Sequence, residues 1–183
     1  MSPAPESANV VRTGFLQVDK TNGAVVRVLS VQYNPESLTR QLEAVTPSVA
    51  PRETVTFSAF FDAADKLEQG DALTGQLGIL PALSALQLLL YPSTNWLVLW
   101  VMGSRRIVPV QITAMQIVEQ AFDAGLSPIR AQVTLTLRVL KDSDLSTDPR
   151  GKAIWDSYLA QLQQLAQSFY NTVPLSGLGL SGI

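Results

Sequence analysis

Asp62, Asp65, Glu68 and Asp71 crowd one stretch of the chain, and carboxylates so spaced are the first candidates for chemistry. They could bind Ca²⁺, but the stretch lacks the glycine and ligand spacing of a calcium loop. Asp62 and Asp65 could act as an acid–base pair, provided they converge in a cleft that raises one pKa. A solvated loop face needs neither condition. Ser84 and Ser157 offer hydroxyls, but the chain has no histidine and no cysteine. Neither serine therefore has the usual base to activate it, and thiolate chemistry and cysteine-based metal sites are excluded. Glycines 177, 179 and 182 do not follow a strand and open a helix, so they do not form a phosphate loop. No enzyme activity and no cofactor are expected.

The elements that must carry any function are unusual in composition. The chain has 183 residues, 46% of them apolar and 15% charged, against about 25% charged in ordinary soluble domains. So little charge suggests a surface partly covered by partners. A net charge of −2 lacks the basic footprint of a nucleic-acid binder. The start, "MSPAPESANVV", lacks the basic and apolar regions of a secretory signal. The runs "LPALSALQLLLY" and "WLVLWVMG" are too short to span a bilayer. We expect a soluble chain made in a cytoplasm, with no nucleic-acid partner and no direct membrane contact.

Residues 1–12 are rich in proline, serine and alanine and read as a flexible arm. "GFLQVD" and "AVVRVLSVQY" flank Asn22-Gly23, a hairpin signal. Asn34-Pro35 forces a turn, after which "SLTRQLE" resumes an extended segment. "ETVTFSAFFD" alternates as a half-buried strand with Val55, Phe57, Ala59 and Phe61 on one face. The polar, glycine-punctuated stretch "AADKLEQGDALTGQLG" reads as loop. Ile79, Leu83, Leu86 and Leu90 then share the spacing of one short, well-buried helix, stopped by Pro92. Residues 96–102 suit a strand covered on both faces. "GSRR" is a tight turn, and residues 107–122 supply one long bent strand or two. In residues 130–139, Arg130, Gln132, Thr134, Thr136 and Arg138 share one face, and Ala131, Val133, Leu135, Leu137 and Val139 the other. Asp148-Pro149 reads as the cap of a final helix to Tyr170, with Ile154, Tyr158, Leu162, Leu165 and Phe169 on one stripe.

Three features point to assembly rather than catalysis. Arg105 and Arg106 at a turn are either a solubilising tip or an inter-subunit salt bridge. The polar face of residues 130–138 is either the wet side of a sheet or the lining of a channel. The terminal "LSGLGLSGI", with Leu175, Leu178, Leu180 and Ile183, is too apolar for an ordinary disordered tail. It packs on its own domain or inserts into a neighbour.

The segments "VQYNPESLTR", "LSALQLLLYP" and "NWLVLWVMGSRR", followed by "AFDAGLSPIRAQVTLTLRVL", occur in an order that resembles the tube-protein family of contractile injection systems, which are phage-tail-like machines. Tyr33, Asn34, Pro35, Glu36, Ser37 and Leu38 match that family's aromatic-Asn-Pro-Glu-Ser-Leu turn. Trp100 and Gly103 match its hairpin. Ala121, Phe122, Asp123, Gly125, Pro128, Arg130 and Ala131 match its third motif. The likeness spans roughly residues 14–145.

What the resemblance implies is an α+β, mainly β fold: a tail-tube-like antiparallel β-barrel or sandwich over residues 13–145, with one packed helix. Residues 146–183 add a C-terminal helix and an extended apolar tail. The implied role is a structural subunit of a hexameric ring, joining the inner tube to the baseplate or spike as a tube initiator. Its implied partners are copies of itself, the inner tube protein, and baseplate, spike or cap proteins. Many members continue into a peptidoglycan-binding LysM domain, and this chain carries only a helix and tail there. A cap-adaptor ring at the distal tube end is the alternative within the family. A small β-barrel binding an apolar ligand is the alternative outside it. In the ring reading, Thr54, Thr56, Gln132, Thr134 and Thr136 line the lumen. Asn34 and Ser37 then bond the local backbone of a turn held at a ring surface, with Pro35, Glu36, Arg105, Arg106 and Arg130 as the other inter-subunit candidates.

Overall fold

The computed structural model describes residues 11–46, 49–91 and 93–170. The fold is α+β and mainly β. Strands Gly14–Asp19 (β1), Val25–Ser30 (β2), Leu38–Glu43 (β3), Arg52–Asp62 (β4), Trp96–Val101 (β5), Ile107–Phe122 (β6) and Pro128–Val139 (β7) form one open antiparallel sheet. Their order is β2-β1-β5-β6-β7-β4-β3. β6 joins the two halves. Ile107, Val108 and Pro109 pair with β5, and Val110 to Phe122 pair with β7. Residues 107–122 are thus one strand, bent by a register shift between Ile112 and Ala114.

The sheet is strongly curled. β2 and β4 lie five inter-strand steps apart, roughly 24 Å if flat. Yet Gln32, just beyond β2, donates from Nε2 to the Asp62 carbonyl at 2.8 Å, and its Oε1 accepts from the Asp62 N–H at 2.8 Å. One side-chain amide therefore stands in for a strand partner between distant parts of the sheet. Across the hollow, Phe57 of β4 stacks on Trp100 of β5 with ring centroids 5.8 Å apart.

That hollow is the core. Val55, Phe57, Ala59 and Phe61 are buried, as are Ala131, Val133, Leu135, Leu137 and Val139, as the two alternations require. Each large apolar side chain fully buried contributes about 1.5–3 kcal/mol. In β5, Leu97, Leu99 and Trp100 are buried but Trp96, Val98 and Val101 only half so. Each face of the strand thus mixes buried and half-buried residues, and neither is covered throughout as expected.

The stretch after β4 departs from its expected loop. It holds two short helices, Ala64–Glu68 (α1) and Ala72–Leu77 (α2). Five and six residues are too few for a helical apolar period to register. Asp71 starts α2 by accepting the Thr74 N–H at 2.7 Å, the usual N-cap bond. Gly78, at φ 55°, lets the chain pass so close to Pro128 that a Cβ would meet the carbonyl oxygen at 2.2 Å. Ile79 N–H donates to that carbonyl and leads into Leu80–Leu88 (α3).

α3 is less covered than its sequence suggests. Leu83 and Leu86 are buried, whereas Leu80, Leu88 and Leu90 are exposed. The final helix, Pro149–Tyr170 (α4), begins as expected: Asp148 Oδ1 accepts the Gly151 N–H at 2.9 Å, with proline first in the helix. Its buried residues lie in its first half. Trp155 and Tyr158 are buried, but from Leu159 to Tyr170 every residue is exposed except half-buried Ala166. The expected stripe is thus exposed at Leu162, Leu165 and Phe169. Trp155, which the stripe omits, is buried beside Tyr158, the ring centroids 5.8 Å apart. The expected N-terminal arm, apart from residues 11 and 12, lies outside the described residues. So do Pro92 and the tail with Leu175, Leu178, Leu180 and Ile183.

Candidate functional site: surfaces for assembly

The polar face is built by strand register. Thr54 pairs with Arg138, Thr56 with Thr136, Ser58 with Thr134, Phe60 with Gln132 and Asp62 with Arg130. The next strand places Gln111, Ala114, Gln116, Val118 and Gln120 beside that row, and β3 places Gln41 and Thr39 on the other side. Hydroxyls and amides bridge the strands: Ser58 Oγ to Thr134 Oγ1 at 3.1 Å, and Gln132 Nε2 to Ser58 Oγ at 3.4 Å. All five expected lining residues, Thr54, Thr56, Gln132, Thr134 and Thr136, share this face. Exposed Phe60 and Val118 interrupt it beside Gln132, a detail that alternation alone does not reveal as a break.

The Asn-Pro-Glu-Ser turn works differently from the expected local turn. Asn34 Oδ1 accepts the Thr13 N–H at 2.9 Å, and its Nδ2 donates to the Val11 carbonyl at 2.8 Å. Its partners lie 23 and 21 positions earlier in the chain. Asn34 thus holds the segment entering β1, which Thr13 also ties to the Val101 carbonyl through Oγ1 at 2.7 Å. Pro35 fixes the turn behind it, while Glu36 and Ser37 border a shallow groove with Thr56 and Phe60. Asn34→Ala leaves the buried Thr13 N–H without its acceptor, and is expected to cost about 1–2 kcal/mol. Asn34→Asp keeps the acceptor and should lose less. Urea unfolding of both variants checks this, and equal losses would discount the Thr13 bond.

The two turn arginines separate. Arg106 packs on its own chain, its guanidinium 5.9 Å from the Trp100 ring centroid and Nη1 3.6 Å from Met102 Sδ. Arg105 is exposed and borders a groove with Gln161, Gln164, Leu165 and Ser168 of α4. Arg130 pairs with Asp62 at 2.7 Å, an exposed contact worth at most about 1 kcal/mol.

Asp62, Asp65 and Asp71 do border a common groove of about 610 Å³ with Arg12, Gln32 and Lys66. Their bonding does not suit proton transfer. Asp62 accepts from Arg130 Nε and from the Ala64 N–H. Hydrogen bonds from the Thr74 side chain and backbone hold the Asp71 carboxyl below the usual carboxylate range. A general acid needs the opposite shift.

A network that sequence reading missed fastens α4. Arg40 Nε donates to Glu53 Oε1 at 2.6 Å, and Arg40 Nη2 donates to the Tyr158 hydroxyl at 3.1 Å. The glutamate side chain is only 8% exposed. Burial, and then the charge of Glu53, push the Tyr158 phenol above its ordinary value. The folded state therefore favours the neutral phenol. Its contribution is complete below the unfolded phenol's pKa of about 10 and is lost as pH rises through the raised folded value. Thermal midpoints between pH 8 and 11 should fall more steeply for the native chain than for Tyr158→Phe. Parallel curves would remove Tyr158 from the alkaline response.

The β6–β7 tip is also specially built. Asp123 Oδ1 accepts the N–H groups of Gly125 and Ser127, each at 2.8 Å. Ala121 and Leu126 adopt φ of 51° and 64°, a region that side chains beyond glycine rarely occupy. The result presents Phe122 and Leu126 to solvent, Leu126 at 79% exposure. Asp123 in "FDAGLSP" was the available signal. Its side chain closes the turn that the third sequence motif spells.

Among the described residues, no helix is long and apolar enough to cross a membrane. No protein-family model matches the chain, and no curated protein matches it.

Proposed function

We propose that the chain is a non-enzymatic structural ring subunit of a contractile injection system, joining the inner tube to the baseplate or spike as a tube initiator. The observation that carries this reading is the four-stranded small-polar face of β3, β4, β7 and β6, backed by one continuous apolar core. Such a face suits a wetted lumen wall in a tube-like barrel completed by several copies. Thr54, Thr56, Gln132, Thr134 and Thr136 supply its short uncharged side chains. The two sheet edges, β2 and β3, belong to opposite ends of the strand order, so a head-to-tail arrangement of copies brings one toward the other. The rigid β6–β7 tip, with Phe122 and Leu126 exposed, suits contact with an adjacent ring or a baseplate, spike or cap protein. The ligand-barrel alternative has less support, because Phe57, Trp100 and Leu135 fill the hollow of the curled sheet.

Cryo-electron microscopy of the assembled particle tests the proposal through the axial height of this chain. A ring between the spike and the first tube layer is the expected result. A ring beneath the cap would make it an adaptor at the distal end. Absence from both positions would overturn the family reading.

A further inference from the structure

A groove of about 480 Å³ lies between α3 and the edge hairpin of β1 and β2. It shares no residue with the small-polar face. Nor do Phe57, Trp100 and Leu135, which fill the hollow of the sheet, border it. Strand pairing builds one wall. Phe15 pairs with Leu29 and Gln17 with Arg27, so all four stand on one face of the hairpin. Ala85 and Leu88 of α3, with Leu89 at its end, build the other wall at a spacing that sets them on one side of the helix. Residues Ala72 to Ser104 carry no charge, so this second wall is wholly apolar. Ala85 contributes only a methyl group, which leaves the groove its width.

Two polar groups meet in this apolar setting, and both have donors to spare. Gln17 is only 6% exposed, and its Oε1 accepts from Arg27 Nη1 at 3.2 Å. That bond leaves the amide Nε2 as the outstanding group, with no acceptor among the described residues. A buried amide donor is normally paired. Arg27 is steadied by the Trp96 ring, whose centroid lies 4.8 Å away. No carboxylate among the described residues pairs with it. Of the described residues bordering the groove, Arg27 alone is charged.

We propose that this groove binds a medium-chain carboxylate. The carboxylate accepts from Gln17 Nε2 and from the Arg27 guanidinium, while the hydrocarbon chain lies along Phe15, Leu29, Ala85 and Leu88. A concave, mostly apolar site of about 300–1,000 Å³ with a few convergent polar groups is the usual form of a small-molecule pocket. Charge selects the head. An anion completes Arg27 and the free Gln17 donor together, a cationic head is repelled, and a neutral head leaves the guanidinium without a counter-charge. The walls select the chain, because a short anion such as acetate would leave them wet. The site does not depend on the ring reading, so either can fail without the other.

Isothermal titration calorimetry of the full-length chain with dodecanoate, kept below its micellar concentration, reads the binding. Acetate keeps the head without the chain, and dodecyltrimethylammonium keeps the chain with the opposite charge. We expect one dodecanoate per chain, and affinities for both controls lower by at least about tenfold. Two variants at exposed positions separate the parts of the site. Arg27→Gln removes the charge and should weaken dodecanoate by at least about tenfold. Ala85→Phe keeps every polar group but fills the groove, and should abolish binding. Circular dichroism melting of each variant first verifies a native fold. The Gln17 side-chain amide resonances report the contact directly in the native chain, and should shift with dodecanoate but not with dodecyltrimethylammonium. Should Arg27→Gln unfold, Ala85→Phe and the Gln17 resonances decide. No binding to the native chain would overturn the proposal. So would equal affinity for the cationic control, several equivalent sites per chain, or full binding to a folded Ala85→Phe, each of which marks apolar adsorption elsewhere.

Discussion

Replacing Trp100 with alanine is expected to lower the free energy of unfolding by about 3–5 kcal/mol, the usual loss for a large buried aromatic. The side chain is 1% exposed, stacks on Phe57 with planes 21° apart and lies under the Arg106 guanidinium. It spans the hollow between β5 and β4, so its removal opens a cavity where the curled sheet is held across its width. The informative comparison is Trp100→Phe. The indole N–H is buried with no acceptor among the described protein groups. An orphaned donor costs about 1–3 kcal/mol, so phenylalanine loses contact area while relieving that cost. Its net loss should stay near 1 kcal/mol, well below the alanine loss. Urea unfolding with unchanged m-values checks both substitutions. A phenylalanine variant as weak as the alanine one would show that the indole nitrogen has a stabilising partner.

Arg40→Leu is expected to cost about 2–3 kcal/mol, somewhat below the 3–5 kcal/mol typical of a fully buried pair because the arginine keeps some solvent access. Its side chain is 27% exposed and that of Glu53 only 8%. The loss arises mainly from leaving Glu53 buried without its counter-charge, and partly from freeing the Tyr158 hydroxyl. The double variant Arg40→Leu/Glu53→Leu should recover most of the stability, since two apolar groups replace two desolvated charges. A double-mutant cycle gives the coupling directly. Simple additivity of the two single losses would show that the pair is no more than a surface contact. Because Tyr158 belongs to α4, the single variant should also loosen that helix, visible as faster amide exchange around Trp155.

The strands were the legible part of this fold, because their period is written in neighbouring residues. Val55 to Phe61 and Ala131 to Val139 needed no knowledge of the rest of the molecule, and Asn22-Gly23 and Asp148-Pro149 carried their own geometry. What remained hidden depends on partners far away in sequence. Nothing local in "QYNPE" says that Gln32 will reach Asp62 or that Asn34 will reach back to Thr13. Arg40, Glu53 and Tyr158 come from three separate elements, so no spacing announces them. α1 and α2 were masked by brevity, and α2 also by burying Thr74 while leaving Leu73 and Leu77 exposed. The exposure of α3 and of the outer half of α4 was misread for a different reason. An apolar pattern states that a surface avoids water, not which body covers it. The same limit applies to the small-polar face, whose threonines read alike on a wetted sheet and on a channel wall.

The dual pairing of β6 also orders events during folding. β6 and β7 are joined by a short turn that Asp123 organises, so their ladder can zip from its own loop. The pairing of β1 with β5 instead brings Gly14 to Val101 and Asp19 to Trp96. Closing that long loop costs roughly 2 kcal/mol more in chain entropy than closing the hairpin. The β6–β7 hairpin is the natural nucleus, and β4 and β1, whose pairings with β7 and β5 each close a long loop, arrive later. Destabilising Val133 or Ile117 should therefore slow folding, whereas destabilising Phe15 should chiefly hasten unfolding. The β6–β7 part of the small-polar face is thus the part that forms first, and the strands on either side of it are secured later.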